Sequence, residues 1–154
     1  ANRMDDRITI LEEDMRRLTP ATTGGVVDVV VCNPPFRRAG AGRINPSAQR
    51  AAARHEIDIT LPDILKVSRR MLKTRGRLVV IQAAERLGEL IAHLRLLGIE
   101  PKRLRTVHAD RGSEAKMVLL EGRPGSGTGM KILPPLCLDE GESVSEEVRA
   151  MLMP

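Results

Sequence analysis

The stretch that decides the fold is Val26-Val27-Asp28-Val29-Val30-Val31-Cys32-Asn33-Pro34-Pro35-Phe36, where a nearly continuous run of valine meets two prolines. Apolar β-branched runs without polar alternation are typical of strands buried on both faces of a parallel sheet. Two prolines cannot continue a central hydrogen-bonded ladder. We therefore predict a buried strand over residues 26–32 that ends abruptly before Asn33.

Strands and helices alternate on either side of this stretch. We predict strands over residues 7–11, 77–82, 103–108 and 116–121, from β-branched and apolar runs bounded by turn residues. Apolar residues at three- and four-residue intervals predict helices over 57–72, closed by Gly76, and over 87–97, capped by Gly98. Residues 19–25 have the composition of a loop, and 109–113 that of a turn between the last two strands. The order predicts an α/β fold with a mainly parallel sheet and a terminal antiparallel pair.

The composition indicates one globular domain that is poor in aromatic residues. The 154 residues are 42% hydrophobic and 29% charged, which excludes a disordered or fibrous chain. No apolar run is long enough for a membrane span, and the N-terminal residues lack a signal-peptide core. Because Cys32 and Cys137 imply no disulfide framework, we expect a cytoplasmic protein. Phe36 is the only aromatic residue of the chain, and its place beside two prolines is unusual for a core ring.

The excess positive charge lies directly after Phe36. The net charge of the chain is +5, and residues 37–54 contain five arginines and no acid. These arginines are Arg37, Arg38, Arg43, Arg50 and Arg54. The segment is also rich in alanine and glycine, so we expect a mobile basic loop. Such a loop is either a solvated surface or a phosphate-binding segment, and its position beside Phe36 favours nucleic acid.

The last part of the chain differs in composition from the rest. Residues 124–129 are rich in glycine and serine, and a net-acidic segment follows them. We therefore predict one domain over residues 1–122, and a linker with a C-terminal tail over 123–154. Residues 145–153 have the pattern of one short helix.

Residues 33–36 resemble the catalytic motif of class I methyltransferases that use S-adenosylmethionine to modify planar amide or amine nitrogens. Residues 33–56, with Arg50 to Glu56 at their end, are similar to the bacterial valine-tRNA adenine-N6 methyltransferases. This resemblance implies a Rossmann-like fold, S-adenosylmethionine as cofactor and tRNA as partner. Two other enzymes with this motif stay open as alternatives, a guanine-N2 rRNA methyltransferase and a release-factor glutamine-N5 methyltransferase. A non-catalytic RNA-binding or assembly module is a third alternative.

The four motif residues have a chemical rationale of their own. The lone pair of an exocyclic amine is delocalised into the purine ring, which makes the nitrogen a poor nucleophile. The side-chain carbonyl of Asn33 and the backbone carbonyl of Pro34 can accept hydrogen bonds from its two N–H groups and turn the lone pair out of conjugation. Pro35 holds the turn, and Phe36 offers a stacking surface to a flipped base. The alternative is a Pro-Pro turn with a buried Phe.

The resemblance also suggests roles for residues outside the motif. Asp14 follows the first predicted strand, where the family contacts the adenine of the cofactor with an acidic or polar residue; the alternative is a helix N-cap or an exposed loop acid. His55 is expected to contact RNA with the neighbouring arginines rather than to act as a base. We expect no metal site.

Two cofactor-binding features of the family are missing from the sequence. These are the Gly-rich turn after the first strand and the acidic residue that ends the second. The segment Gly125-Ser126-Gly127-Thr128-Gly129 follows a strand, but Pro134 and Pro135 exclude the helix that such a turn would require, so we interpret it as a linker. We therefore expect a chain that lacks about the first third of the domain and holds the substrate half of the site, so that it belongs to an enzyme but is inactive by itself. An exposed apolar sheet edge beside residues 26–32 would then favour self-association.

Overall fold

A computed structural model gives the structure of residues 7–34, 59–141 and 143–152. The strands are β1 (Val27–Cys32), β2 (Leu72–Ala83), β3 (Ile99–His108), β4 (Ala115–Pro124), β5 (Lys131–Ile132), β6 (Leu136–Cys137), β7 (Asp139–Glu140) and β8 (Ser143–Val144). The α-helices are α1 (Leu61–Met71), α2 (Leu87–Leu96) and α3 (Glu146–Leu152). Single 3₁₀ turns occupy Met15–Arg17, Pro20–Thr23 and Ala84–Arg86.

One mixed sheet organises the described residues. Its strand order is β1-β2-β4-β3-β5, and β6 also pairs with β3. β1 is parallel to β2, and β5 and β6 are parallel to β3, whereas β4 is antiparallel to both of its neighbours. This topology confirms the α/β fold and the antiparallel pair predicted at its end.

The core lies between the sheet and the two longer helices. Leu61 and Leu65 of α1 and Leu90 and Leu94 of α2 pack in one cluster with strand residues. The strand residues of that cluster include Leu78, Val80, Leu104, Val118 and Leu120. They alternate along their strands, so they share one face of the sheet, and both helices therefore cover that same face.

α1 begins where the sequence provides a strong start signal. The Thr60 hydroxyl accepts from the backbone N–H of Asp63, and the Asp63 carboxylate accepts from the backbone N–H of Thr60 at 3.2 Å. Hydrogen bonds from Thr60 hold the pKa of the Asp63 carboxyl below its ordinary value. Pro62 fits this first turn because its missing N–H would have no helical partner. The predicted helix is confirmed over Leu61–Met71, and its first residues, 57 and 58, lie outside the described part.

Two strand predictions need correction. Residues 7–11 are not a strand, because no described strand lies beside them and an isolated strand has no partner for its backbone groups. β1 forms as predicted but is not buried on both faces: the side chain of Val31 is 76% exposed and that of Val29 is 37% exposed. β2 is the only strand that pairs with it among the described residues.

Gly76 does not close α1, because the chain passes directly from α1 into β2. The glycine lies where the pairing of β1 with β2 shifts register, between Val27 and Val29. A Cβ at this position would be 2.9 Å from the carbonyl oxygen of Lys73 and 3.1 Å from that of Asp28, so only glycine lets the two backbones approach so closely. Gly98 does end α2 as predicted, with a left-handed φ of 67°.

The residues after β4 return to the sheet. β5 and β6 pair with β3, and the guanidinium of Arg105 donates to the carbonyl of Pro134 and to both carboxylate oxygens of Glu147 in α3. The short helix predicted near the C-terminus is confirmed. The division at residue 122 stays a prediction. No helix within the described ranges is long and apolar enough to cross a membrane.

Candidate substrate site at the end of the first strand

Asn33 and Pro34 lie at the carboxyl end of β1, where the parallel ladder with β2 stops. The last pair of that ladder joins Cys32 to Val80. The Asn33 side chain is exposed and makes no hydrogen bond to any described residue, whereas Pro34 is fully buried. The buried proline anchors the chain and leaves the amide of Asn33 free to meet a ligand. In open α/β sheets, ligands bind at the carboxyl ends of the strands.

Cys32 directly precedes Asn33 but is unsuited to act as a nucleophile. Its thiol is half-buried, and burial raises its pKa above the ordinary value. A thiol with a raised pKa holds its proton at neutral pH, and the thiolate is the reactive form. We therefore assign no covalent role to Cys32.

The rest of the predicted substrate site cannot be placed. The following residues all lie outside the described ranges: Pro35, Phe36, Arg37, Arg38, Arg43, Arg50, Arg54 and His55. Their roles in stacking and in RNA binding therefore stay predictions.

Asp14 has the position of a capping residue. Its side chain accepts from the backbone N–H of Arg16, the second residue of the 3₁₀ turn Met15–Arg17. The Arg16 guanidinium donates to both carboxylate oxygens, at distances of 2.6 and 3.0 Å. These hydrogen bonds hold the pKa of Asp14 below its ordinary value. A ligand would have to compete with Arg16 for this carboxylate, so the predicted contact with the cofactor stays untested and the capping alternative has direct support.

Gln82 is a buried polar residue at the same edge that the sequence interpretation missed. Its side chain is fully buried near the end of β2. The amide oxygen accepts from the backbone N–H of Ala83 at 2.9 Å, but the amide nitrogen has no partner among the described residues. An unpaired buried donor is costly. The sequence does contain a signal for it, because Gln82 is a polar residue at the end of the apolar run over residues 78–81.

Two adjoining cavities, of about 380 and 740 Å³, lie at the other end of the sheet. They are lined by residues of β1 to β4, of β5 and of the segment between β4 and β5. Neither is lined by Asn33 or Asp14. The described residues also contain no group of three candidate metal ligands.

Comparison with curated proteins identifies relatives with one shared activity. No protein-family model matches the chain. Proteins named tRNA1(Val) (adenine(37)-N6)-methyltransferase, from two strains of Porphyromonas gingivalis, are each 30% identical to it over 126 residues. The matched region is 80% of this chain and 49% of each relative, so the chain spans about half the length of the curated relatives it matches.

Solved structures support the fold. A predicted O-methyltransferase, Atu636 from Agrobacterium tumefaciens, superposes with a TM-score of 0.67 at 20% identity, over 95% of this chain and 62% of that one. A structure of a type I restriction–modification complex superposes with a TM-score of 0.57 at 17% identity, over 94% of this chain and 32% of that one. At these identities the likeness establishes a shared α/β architecture and nothing about substrate.

Proposed function

We propose that this chain is part of a class I S-adenosylmethionine-dependent methyltransferase and that it orients the exocyclic N6 amine of an adenine in tRNA for methylation. S-adenosylmethionine supplies the methyl group in such a reaction. The observation that carries the proposal is the pair Asn33–Pro34 at the carboxyl end of β1: the Asn33 amide is exposed and has no hydrogen-bond partner among the described residues, and Pro34 beside it is fully buried. The names of the curated relatives support adenine and tRNA as the substrate class.

The role of the described residues is orientation. The side-chain carbonyl of Asn33 and the backbone carbonyl of Pro34 accept hydrogen bonds from the two N–H groups of the amine, which turns its lone pair out of the plane of the ring. Pro34 has no N–H of its own, so its peptide nitrogen cannot donate at this edge. Asn33 is not a general base, so the amine proton leaves after methyl transfer, to solvent or to another group.

The segment after Pro34 completes the proposal. Phe36 would stack on the flipped base, and the arginines of residues 37–54 would hold phosphates of the same RNA. We place the enzyme in the cytoplasm because its proposed substrate is tRNA.

The test is the modification state of RNA in cells whose gene for this protein carries Asn33→Ala. We expect N6-methyladenosine to disappear from purified tRNA, measured by mass spectrometry of nucleosides. Lys66→Ala is a matched control, because Lys66 is exposed on α1 and lies outside the motif at residues 33–36. Unchanged tRNA methylation in the Asn33→Ala cells would contradict the mechanism. Loss of N2-methylguanosine from rRNA, or of N5-methylglutamine from a release factor, would point to the alternative substrates instead.

A further inference from the structure

A second basic surface lies at the opposite end of the sheet from Asn33. The two adjoining cavities share Arg75 and Arg123 in their walls, so they lie side by side and we treat them together as one groove. We call it the basic groove. Its charged lining residues are seven cations and two acids: Lys73, Arg75, Arg77, Lys102, Arg103, Arg123 and Lys131, with Asp28 and Glu121. Seven cations against two acids give this part of the described surface a strong positive charge.

Three of the seven cations are unpaired in the part of the chain that the structure describes. The side chains of Arg75, Arg77 and Lys131 are exposed and make no hydrogen bond or ion pair with any described residue. Arg103 and Arg123 share the single carboxylate of Glu121, at 3.8 and 2.7 Å. The groove therefore holds more positive charge than its own acids can neutralise.

The remaining two cations, Lys73 and Lys102, do not reduce this excess of positive charge. Lys73 pairs with Asp28 at 2.8 Å. Lys102 donates to the carbonyl oxygen of Gly127 at 3.0 Å, which is a neutral partner, so its charge is not cancelled.

Arg75 is held in an unfavourable backbone conformation at the centre of the groove. Its φ is 64°, and it is the only described residue other than glycine with a positive φ. A left-handed conformation is disfavoured for a residue with a Cβ, and glycine would adopt it without strain. Strained residues of this kind are concentrated at functional sites, where the surrounding structure holds them. The neighbouring Gly76 lets this bend approach the backbone of β1 closely, and Arg75 lines both cavities.

The lining of the groove fits a polyanion better than a small molecule. Pockets for small ligands are mostly apolar, whereas Met130 is the only large apolar side chain in these walls. Glycines at 125, 127 and 129 leave the larger cavity open on one side. Arginine forks match the geometry of phosphate oxygens.

The groove is also within reach of an RNA whose base is held at Asn33. Asp28 and Asn33 are five residues apart on β1 and its extension, which corresponds to about 16 Å at the usual rise of a strand. A nucleic-acid duplex presents roughly nine phosphates over that distance. We propose that the basic groove binds the phosphate backbone of the tRNA substrate at a distance from the methylated base. This inference rests on the proposed function, since it extends the contact surface of the same RNA.

Binding of total tRNA at several salt concentrations tests the assignment. We compare the wild-type protein with the triple variant Arg75→Gly, Arg77→Gln and Lys131→Gln, and with Lys66→Gln as a control that removes an exposed cation outside the groove. Because the three side chains have no partners among the described residues and Arg75→Gly relieves strain, we expect an unchanged or higher Tm. We expect the triple variant to bind tRNA about tenfold to hundredfold more weakly near 0.1 M salt, with the slope of log Kd against log salt reduced by about two to three. In the enzyme as the cell makes it, the same three substitutions should raise the KM of methyl transfer at unchanged kcat.

The possible outcomes separate the two proposals. If the wild-type protein does not bind tRNA, the proposed function fails and the groove assignment fails with it. If the wild-type protein binds tRNA and the triple variant matches Lys66→Gln in affinity and salt slope, the groove assignment alone is wrong. The third measurement uses vesicles that contain phosphatidylserine. If the wild-type protein binds them more tightly than tRNA and the triple variant does not, the groove binds an anionic membrane, and the assignment to RNA is overturned.

Discussion

Asn33 and Pro34 are adjacent in the chain, yet the side chain of Pro34 is fully buried while that of Asn33 faces solvent. The two residues should therefore separate stability from activity. We expect Asn33→Ala to change the free energy of unfolding by less than about 0.5 kcal/mol and, in the enzyme as the cell makes it, to reduce kcat by about 100-fold or more. Pro34→Ala should lower the free energy of unfolding by about 1–2 kcal/mol, because it opens a small cavity and frees the unfolded chain. Urea unfolding and methyl-transfer assays measure the two effects, and equal stability loss in both variants would contradict this division.

The contact between Arg105 and Glu147 predicts a pH dependence for the C-terminal helix. Both carboxylate oxygens accept from the guanidinium at 2.6 Å, and these bonds lower the pKa of Glu147 from its ordinary value of 4.5. A carboxyl with a lowered pKa stabilises the folded state above its ordinary pKa and loses this contribution as the pH falls through the lowered value. We therefore expect α3 to detach from β3 at pH values below 4.5.

Amide hydrogen exchange of α3 as a function of pH measures this detachment. Glu147→Gln removes the carboxyl. We therefore expect the amides of α3 to be poorly protected from exchange already at neutral pH, and their protection no longer to change as the pH falls below 4.5. Protection that stays high in acid for the wild type, with the rest of the fold intact, would show that the ion pair does not hold the helix.

Gln82 is a buried amide whose loss we expect to change the free energy of unfolding unusually little. Replacing it with Met keeps most of the volume, removes the bond to Ala83 at a cost of about 1 kcal/mol, and also removes a buried donor whose penalty is about 1–3 kcal/mol. We expect the free energy of unfolding of Gln82→Met to stay within about 1 kcal/mol of wild type or to rise. Gln82→Ala, which leaves a cavity, is the comparison. A loss above 2 kcal/mol in the Met variant would mean that the amide nitrogen has a partner in the folded protein.

The exposed edge of β1 predicts self-association of this chain. Val31 is 76% exposed, and the strand has only β2 beside it among the described residues. Unpaired apolar edges recruit other strands, and a charged residue on such an edge prevents this. We expect light scattering to show a concentration-dependent rise in mass for the wild-type chain and a monomer for Val31→Lys. Lys66→Ala should behave as the wild type, and a monomeric wild type at high concentration would contradict the prediction.

The sequence by itself determined the elements whose signals are local. β1 ends at Cys32 because prolines follow it, and α2 ends before Gly98 because glycine adopts a left-handed φ. The start of α1 also has a local signal, the capping box at Thr60 with Pro62, but the predicted start at residue 57 did not use it. The placement of Asn33 at the ligand-binding edge followed from the same local logic, since a strand that stops at a proline pair presents the next residues at its carboxyl end.

Only the tertiary structure decided the properties that depend on neighbours. The valine run could not reveal that β1 is exposed, and residues 7–11 could not reveal that no strand lies beside them, because burial and pairing belong to the sheet rather than to one segment. The basic groove is the clearest case. Its cations come from β2, β3, β4 and β5, and their charges add only because strand pairing brings those four segments to one end of the sheet.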